Sequence, residues 1–206
     1  MDFSLASLID LTRLTLRDPR RGARGLIGLH LPMSVRWTLF VLIVVLSAIS
    51  AHLTLGMMSQ VERAAIPAQM PGPFGLAVVQ GAIMFMGAFF AFQLGRALGG
   101  TGNFADALLL VVWLQTILLA LQVLQLLVQA MTPVLGVGGA AFLGEIIGVI
   151  GLGLTFWLLT AFIAELHGFA SMGRVFLGVI ATILGIGIVL SVVVVSILQA
   201  GMIASV

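Results

Sequence analysis

The chain has no cysteine, no lysine and no tyrosine among its 206 residues. Without cysteine there is no disulfide framework, thiol nucleophile or thiolate metal site. Charge is scarce as well: Asp, Glu and Arg together make up 8%. A water-soluble globule carries about a quarter. A chain this poor in charge cannot clothe its own surface with solvated groups, which excludes a cytosolic enzyme and a disordered chain alike. Hydrophobic residues reach 61% and the mean hydropathy is +1.27. These values describe a polytopic membrane protein.

The sequence pI near 11.1 resembles that of a nucleic-acid binder, but it reflects nine arginines against seven acids, a net charge of only +2. Six of the nine, Arg13, Arg17, Arg20, Arg21, Arg24 and Arg36, fall before or at the mouth of the first long apolar run. Beside a membrane segment such a cluster meets anionic headgroups rather than nucleic acid. The lipid-facing basic cluster is therefore expected at Arg13, Arg17, Arg20, Arg21 and Arg24. Abundant Ala, Gly, Leu and Val with no lysine suggests a bacterial source.

The first 34 residues are too long and too patterned for a secretory signal. At 100° per residue, Leu5, Leu8, Ile9, Leu11, Leu14 and Leu16 spread over about 220° of a helix, and Asp10, Arg13 and Arg17 fall opposite within about 60°. Asp2 or Ser4 can cap this helix. Asp18-Pro19 ends it, because proline disfavours helix at the residue before it. This is an amphipathic helix whose leucine side lies either in the membrane interface or on the protein's own helices.

Five apolar segments follow, at about residues 35–57, 74–98, 104–131, 140–166 and 175–201. Each exceeds the roughly 20 residues needed to cross a bilayer core. The expected fold class is all-α, a polytopic transmembrane bundle of five spans with an N-terminal amphipathic interfacial helix. The organisation divides into a cytoplasmic amphipathic and basic segment, 1–34, and a five-helix transmembrane domain, 35–206. Arg36 and Trp37 sit at the mouth of the first span as an interfacial anchor pair. Residues 59–73, with Glu62, Arg63, Pro67, Pro71 and Pro73, read as a loop, Gly99 to Asn103 as a tight turn, and residues 132–139 as an uncharged glycine-rich connection. Eight of the nine arginines fall on one side of this topology. That places the N-terminus in the cytoplasm and the C-terminus in the periplasm of a bacterial inner membrane.

Polar side chains inside a bilayer are costly and should face protein or water. Gln115, Gln122, Gln125 and Gln129 fall within about 80° of one another on the third span. This polar stripe serves either interhelical hydrogen bonding or a conduit. Glu145 lies in the outer part of the fourth span. At the cytoplasmic end, Glu165, His167 and Arg174 form the candidate functional patch, with an ion pair expected there. Gly144 and Gly148 make a small-xxx-small helix-packing pair. No His-Glu-x-x-His motif, nucleotide-binding loop or nucleophile elbow occurs. The sequence therefore assigns no catalytic residue, cofactor or metal.

The stretches Asp18-Pro19-Arg20 and Gly99-Gly100-Thr101-Gly102-Asn103-Phe104-Ala105-Asp106-Ala107-Leu108 resemble those of the Ypt-interacting-protein (Yip) family, bacterial members in particular. The resemblance implies a cytoplasmic N-terminal segment and about five closely packed crossings. It implies no catalytic residue, and the long acidic and aromatic cytoplasmic region of many eukaryotic relatives is absent. The sequence thus points to a non-enzymatic inner-membrane protein. Its partners would be membrane lipids and other integral membrane proteins or further copies of itself, and no nucleic acid. The alternative is a small transporter or channel using the third-span stripe.

Overall fold

The computed structural model of the chain describes residues 5–57 and 72–204. The candidate caps Asp2 and Ser4, and the loop residues Glu62, Arg63, Pro67 and Pro71, lie outside the described residues. The described chain is all-α, with α1 (Leu5–Arg17), α2 (Pro19–Ile27), α3 (Met33–Met57), α4 (Pro73–Ala97), α5 (Phe104–Ala130), α6 (Thr132–Leu166) and α7 (Met172–Ala204). By length and composition α3, α4, α5 and α6 can each cross a membrane, and the apolar stretch Met172–Gly185 continues the pattern in α7. At about 1.5 Å per residue, the 25 residues of α3 span roughly 37 Å, more than a hydrocarbon core of about 30 Å.

Asp18-Pro19 does end α1, but it also starts a second helix where the sequence suggested only a basic stretch. Pro19 supplies a helical φ at a position that needs no N–H donor, and the Asp18 side chain accepts the Arg21 N–H at 3.1 Å. The residues read as a glycine-rich connection likewise begin a helix. Pro133 sits in the first turn of α6, and the only break is at Gly136, with φ 71° and ψ 159°. That left-handed backbone is one glycine adopts without strain.

α5 is the centre of the bundle. Every residue from Ala107 to Leu114 is buried, against α3 and α4 on one side and α6 on the other. Phe40, Ile43 and Val44 of α3 meet Met84 and Ala88 of α4 and Leu108, Val111 and Val112 of α5. A second cluster brings Ala23 and Leu26 of α2 onto Leu109, Leu110, Trp113, Leu114 and Ile117 of α5 and Leu158 and Phe162 of α6. α2 is thus built into the bundle. α7 sits at the edge, where Val175 and Val179 join Ala91, Ile163 and Ala164. Gly178 lets it approach α4, since a Cβ there would lie 3.3 Å from Leu94 Cδ1.

Candidate functional site

The helices alternate direction, so the starts of α3, α5 and α7 and the ends of α4 and α6 share one end of the bundle with α1 and α2. Most of the described charge gathers there. Glu165, in the last turn of α6 and nearly buried, accepts Arg20 Nε at 3.1 Å and Arg24 Nε at 2.7 Å. The remaining fork of Arg20 donates through Nη2 to the Phe169 carbonyl at 2.7 Å. One carboxylate and one turn therefore fasten α2 to the end of α6. Arg24 is held protonated more firmly than a free guanidinium, first by its hydrogen bond to Glu165 and then by that carboxylate's charge.

A second pair ties α3 to α5. Arg36 Nη1 donates to Asp106 Oδ1 at 2.5 Å and Arg36 Nε to the Leu31 carbonyl at 2.8 Å. The side chains of Arg36 and Asp106 are 8% and 13% exposed. Asn103 completes the arrangement: its Nδ2 donates to Asp106 Oδ2 at 2.7 Å, and its Oδ1 accepts the Asp106 N–H at 2.8 Å, capping α5. Arg36 is therefore not a lipid anchor beside Trp37, because the carboxylate in the first turn of α5 turns it inward. Trp37 stays half-exposed and stacks on Phe85 with centroids 6.3 Å apart.

His167, just past α6, is 4% exposed. Its ring fills a hollow made by three glycines of α4 and the α4–α5 turn. A Cβ at Gly95 or Gly100 would overlap the imidazole, and one at Gly102 would come within 2.7 Å of His167 Nε2. Gly99, at φ 86°, turns the chain out of α4 to form this hollow. His167 Nδ1 lies 3.1 Å from the Ile163 carbonyl, Nε2 is buried without a well-formed hydrogen bond, and the ring stacks on Phe169 at 5.8 Å. Burial pushes its pKa below the ordinary histidine value, while the carbonyls of Ile163 and Phe92 oppose that shift. Phe169 links the two arrangements: its ring covers His167 and its carbonyl receives Arg20.

The residues expected to form one patch are thus used differently. Glu165 turns to α2 and His167 turns into the glycine hollow. Arg174 forms no ion pair among the described residues; its N–H meets Ser171 Oγ at 3.4 Å. Arg20 and Arg24 face Glu165 rather than lipid alone, whereas Arg13, Arg17 and Arg21 stay exposed. In the glutamine stripe, Gln115 donates to Ser47 Oγ of α3 at 3.3 Å, and Gln125 donates to the Gly144 carbonyl of α6 at 3.2 Å. Gln122 is half-buried, and Gln129 Oε1 is buried without a partner among the described residues. A Cβ at Gly148 would meet Gln125 Nε2 at 3.6 Å, while one at Gly144 meets nothing within 4 Å. Glu145 is exposed on α6. Sequence reasoning missed the Arg36–Asp106 pair and the buried bond from Trp113 Nε1 to Thr15 Oγ1, 3.1 Å long. No group of three or more metal-ligating side chains exists among the described residues.

A family model, described as the Yip1 domain, matches residues 13–194. The chain belongs to this family. The matched stretch takes in α2, all the interhelical ion pairs above and the Gly95–Asn103 turn, so the cluster at this end lies wholly inside the Yip1 domain. No curated protein and no solved structure matches the chain.

Proposed function

We propose that this Yip1-domain protein is a non-enzymatic, multi-pass protein of the bacterial inner membrane that acts by association with other integral membrane proteins and with lipid. Residues 1–34 form its cytoplasmic segment, and 35–206 carry five crossings that leave the C-terminus in the periplasm. The orientation is supported by Arg13, Arg17, Arg20, Arg21, Arg24, Arg36, Arg96 and Arg174, which all belong to one end of the bundle.

The observation that carries the reading is how the polar groups are used. Glu165 and Asp106, nearly buried, are spent on holding helices together through Arg20, Arg24 and Arg36. Among the described residues neither carboxylate is paired with a nucleophile, as a catalytic set would require. Along α6 two glycines meanwhile keep open space beside the helix: a Cβ at Gly144 or Gly153 would meet nothing within 4 Å. Small residues on a lipid-facing helix let another helix approach closely.

Purification in mild detergent, followed by native mass spectrometry, tests the reading. Co-purifying integral membrane proteins or a defined oligomer is the expected result; a strictly monomeric particle with no protein partner would refute the protein-association part. A transport role along α5 requires flux in proteoliposomes that falls in Gln122→Ala. Unchanged flux is expected, since Gln115 and Gln125 already donate to neighbouring helices.

A further inference from the structure

α1 is fixed in rotation about its own axis. Thr15 is fully buried, donates to the Leu11 carbonyl at 2.7 Å and accepts Trp113 Nε1 from α5. Gly22 of α2 closes over it: a Cβ at Gly22 would come within 2.8 Å of Thr15 Cα. With that edge turned to the protein, another apolar edge is left exposed among the described residues. Ile9 is 51% exposed and Leu16, about 20° from it around the helix, is 39% exposed.

The charges beside this edge are basic. Around the helix Arg13 follows Ile9 by about 40° and Arg17 by about 80°, so both guanidinium groups border the Ile9–Leu16 strip. Arg13 meets Asp10 only at 3.7 Å, with both side chains more than 70% exposed. Arg17 forms no ion pair among the described residues. Across the helix pair, and among the described residues, Arg13, Arg17, Arg20, Arg21 and Arg24 face only Asp10, Asp18 and Glu165, which leaves positive charge in excess. An apolar strip bordered by unbalanced arginines, at the end of a membrane-spanning bundle, complements one partner chemistry: acyl chains below and phosphates level with the guanidinium groups.

We propose that α1 is a seat for anionic phospholipid, with Ile9 and Leu16 at the acyl boundary and Arg13 and Arg17 on the headgroup phosphates. The proposal deepens the association reading and rests on its cytoplasmic placement of the N-terminus. Thr15, through Trp113, is a positioning residue that aims the seat.

The chain's lack of cysteine allows a single reporter. Full-length Ile9→Cys, carrying an environment-sensitive fluorophore, is placed in phosphatidylcholine nanodiscs into which phosphatidylglycerol is titrated. The label should shift to the blue and be quenched by bromine-labelled acyl chains as the anionic fraction rises. Each arginine near an anionic surface changes partition about five-fold, so Arg13→Gln with Arg17→Gln should weaken the response about twenty-five-fold. Arg13→Lys with Arg17→Lys should restore most of it, which separates charge from misfolding. A label buried equally in pure phosphatidylcholine would overturn the proposal. So would energy transfer between labelled copies in place of lipid quenching, which would show α1 covered by a second chain. Failure here leaves co-purification of protein partners untouched, so the two readings fail separately.

Discussion

Two glycines of one helix should respond oppositely to the same added methyl group. Gly87 and Gly95 both lie inside α4, and alanine in a helix interior is better than glycine by about 0.5–1 kcal/mol. At Gly87 the added Cβ meets nothing within 4 Å, so Gly87→Ala should be neutral or stabilising by up to about 1 kcal/mol. At Gly95 it would overlap the His167 ring. That ring cannot retreat, since Gly100, Gly102 and Phe169 enclose it. Overpacking of this kind costs about 1–3 kcal/mol, enough to outweigh the helix gain. Gly95→Ala should therefore destabilise by about 1–2 kcal/mol, which for a chain of this length is a loss of roughly 2–8 °C in Tm. Adding His167→Ala should relieve the collision and give a coupling of about 1–3 kcal/mol between the two sites. The measurement is thermal unfolding of the detergent-solubilised protein, followed by tryptophan fluorescence. If Gly95→Ala unfolds at the same temperature as Gly87→Ala, or if the double variant is simply additive, His167 does not occupy the hollow described.

Glu165→Gln should loosen α2 without unfolding the bundle. The Arg20 contact, partly exposed, should lose about 1–2 kcal/mol, seen as faster amide exchange over Pro19–Ile27 with α5 unchanged. Arg36→Ala should be costlier, about 3 kcal/mol or more, because it leaves Asp106 with its charge uncompensated at 13% exposure. Adding Asp106→Asn should recover part of that loss in the same unfolding assay. Stability should also depend on pH through His167. Its pKa is lower folded than unfolded, so below the ordinary value of about 6.5 the unfolded chain holds more protons. The hollow is therefore at full strength above that value and weakens as pH falls toward the depressed folded pKa. His167→Asn should flatten the decline in Tm between about pH 7 and 5 relative to the unmodified protein.

The spans are legible because a bilayer imposes one rule on every residue within it, so apolar runs longer than about 20 residues announce themselves without tertiary knowledge. Partnerships among the few charges obey no such local rule. Glu165 lies 145 residues from Arg20 and Asp106 lies 70 from Arg36, so only the packing of α2 and α3 brings them together. Proximity in sequence pointed instead to Arg174 for Glu165 and to the lipid interface for Arg36. α2 itself is readable, because Asp18-Pro19 ends one helix and caps the next with the same two residues.

The histidine hollow shows the remaining gap from the other side. Gly99-Gly100-Thr101-Gly102 reads as a turn, and Gly99 at φ 86° is indeed used for turning. Gly95, Gly100 and Gly102 serve a different end: they leave out the side chains that would displace His167. A glycine kept for what it omits looks the same in sequence as one kept for its backbone. Only the ring that fills the space tells them apart, and here that ring comes from the far end of α6. The same turn thereby joins the end of α4 to Phe169 and, through the Arg20 bond to its carbonyl, to α2. A change at Gly95 should consequently be felt at the N-terminal helices, which touch neither α4 nor its turn in any of the hydrogen bonds or ion pairs described. Faster amide exchange over Pro19–Ile27 in Gly95→Ala, with Gly87→Ala unchanged, is the expected sign of that coupling. Identical exchange in the two variants would mean that Phe169 insulates the hollow from the Arg20 contact.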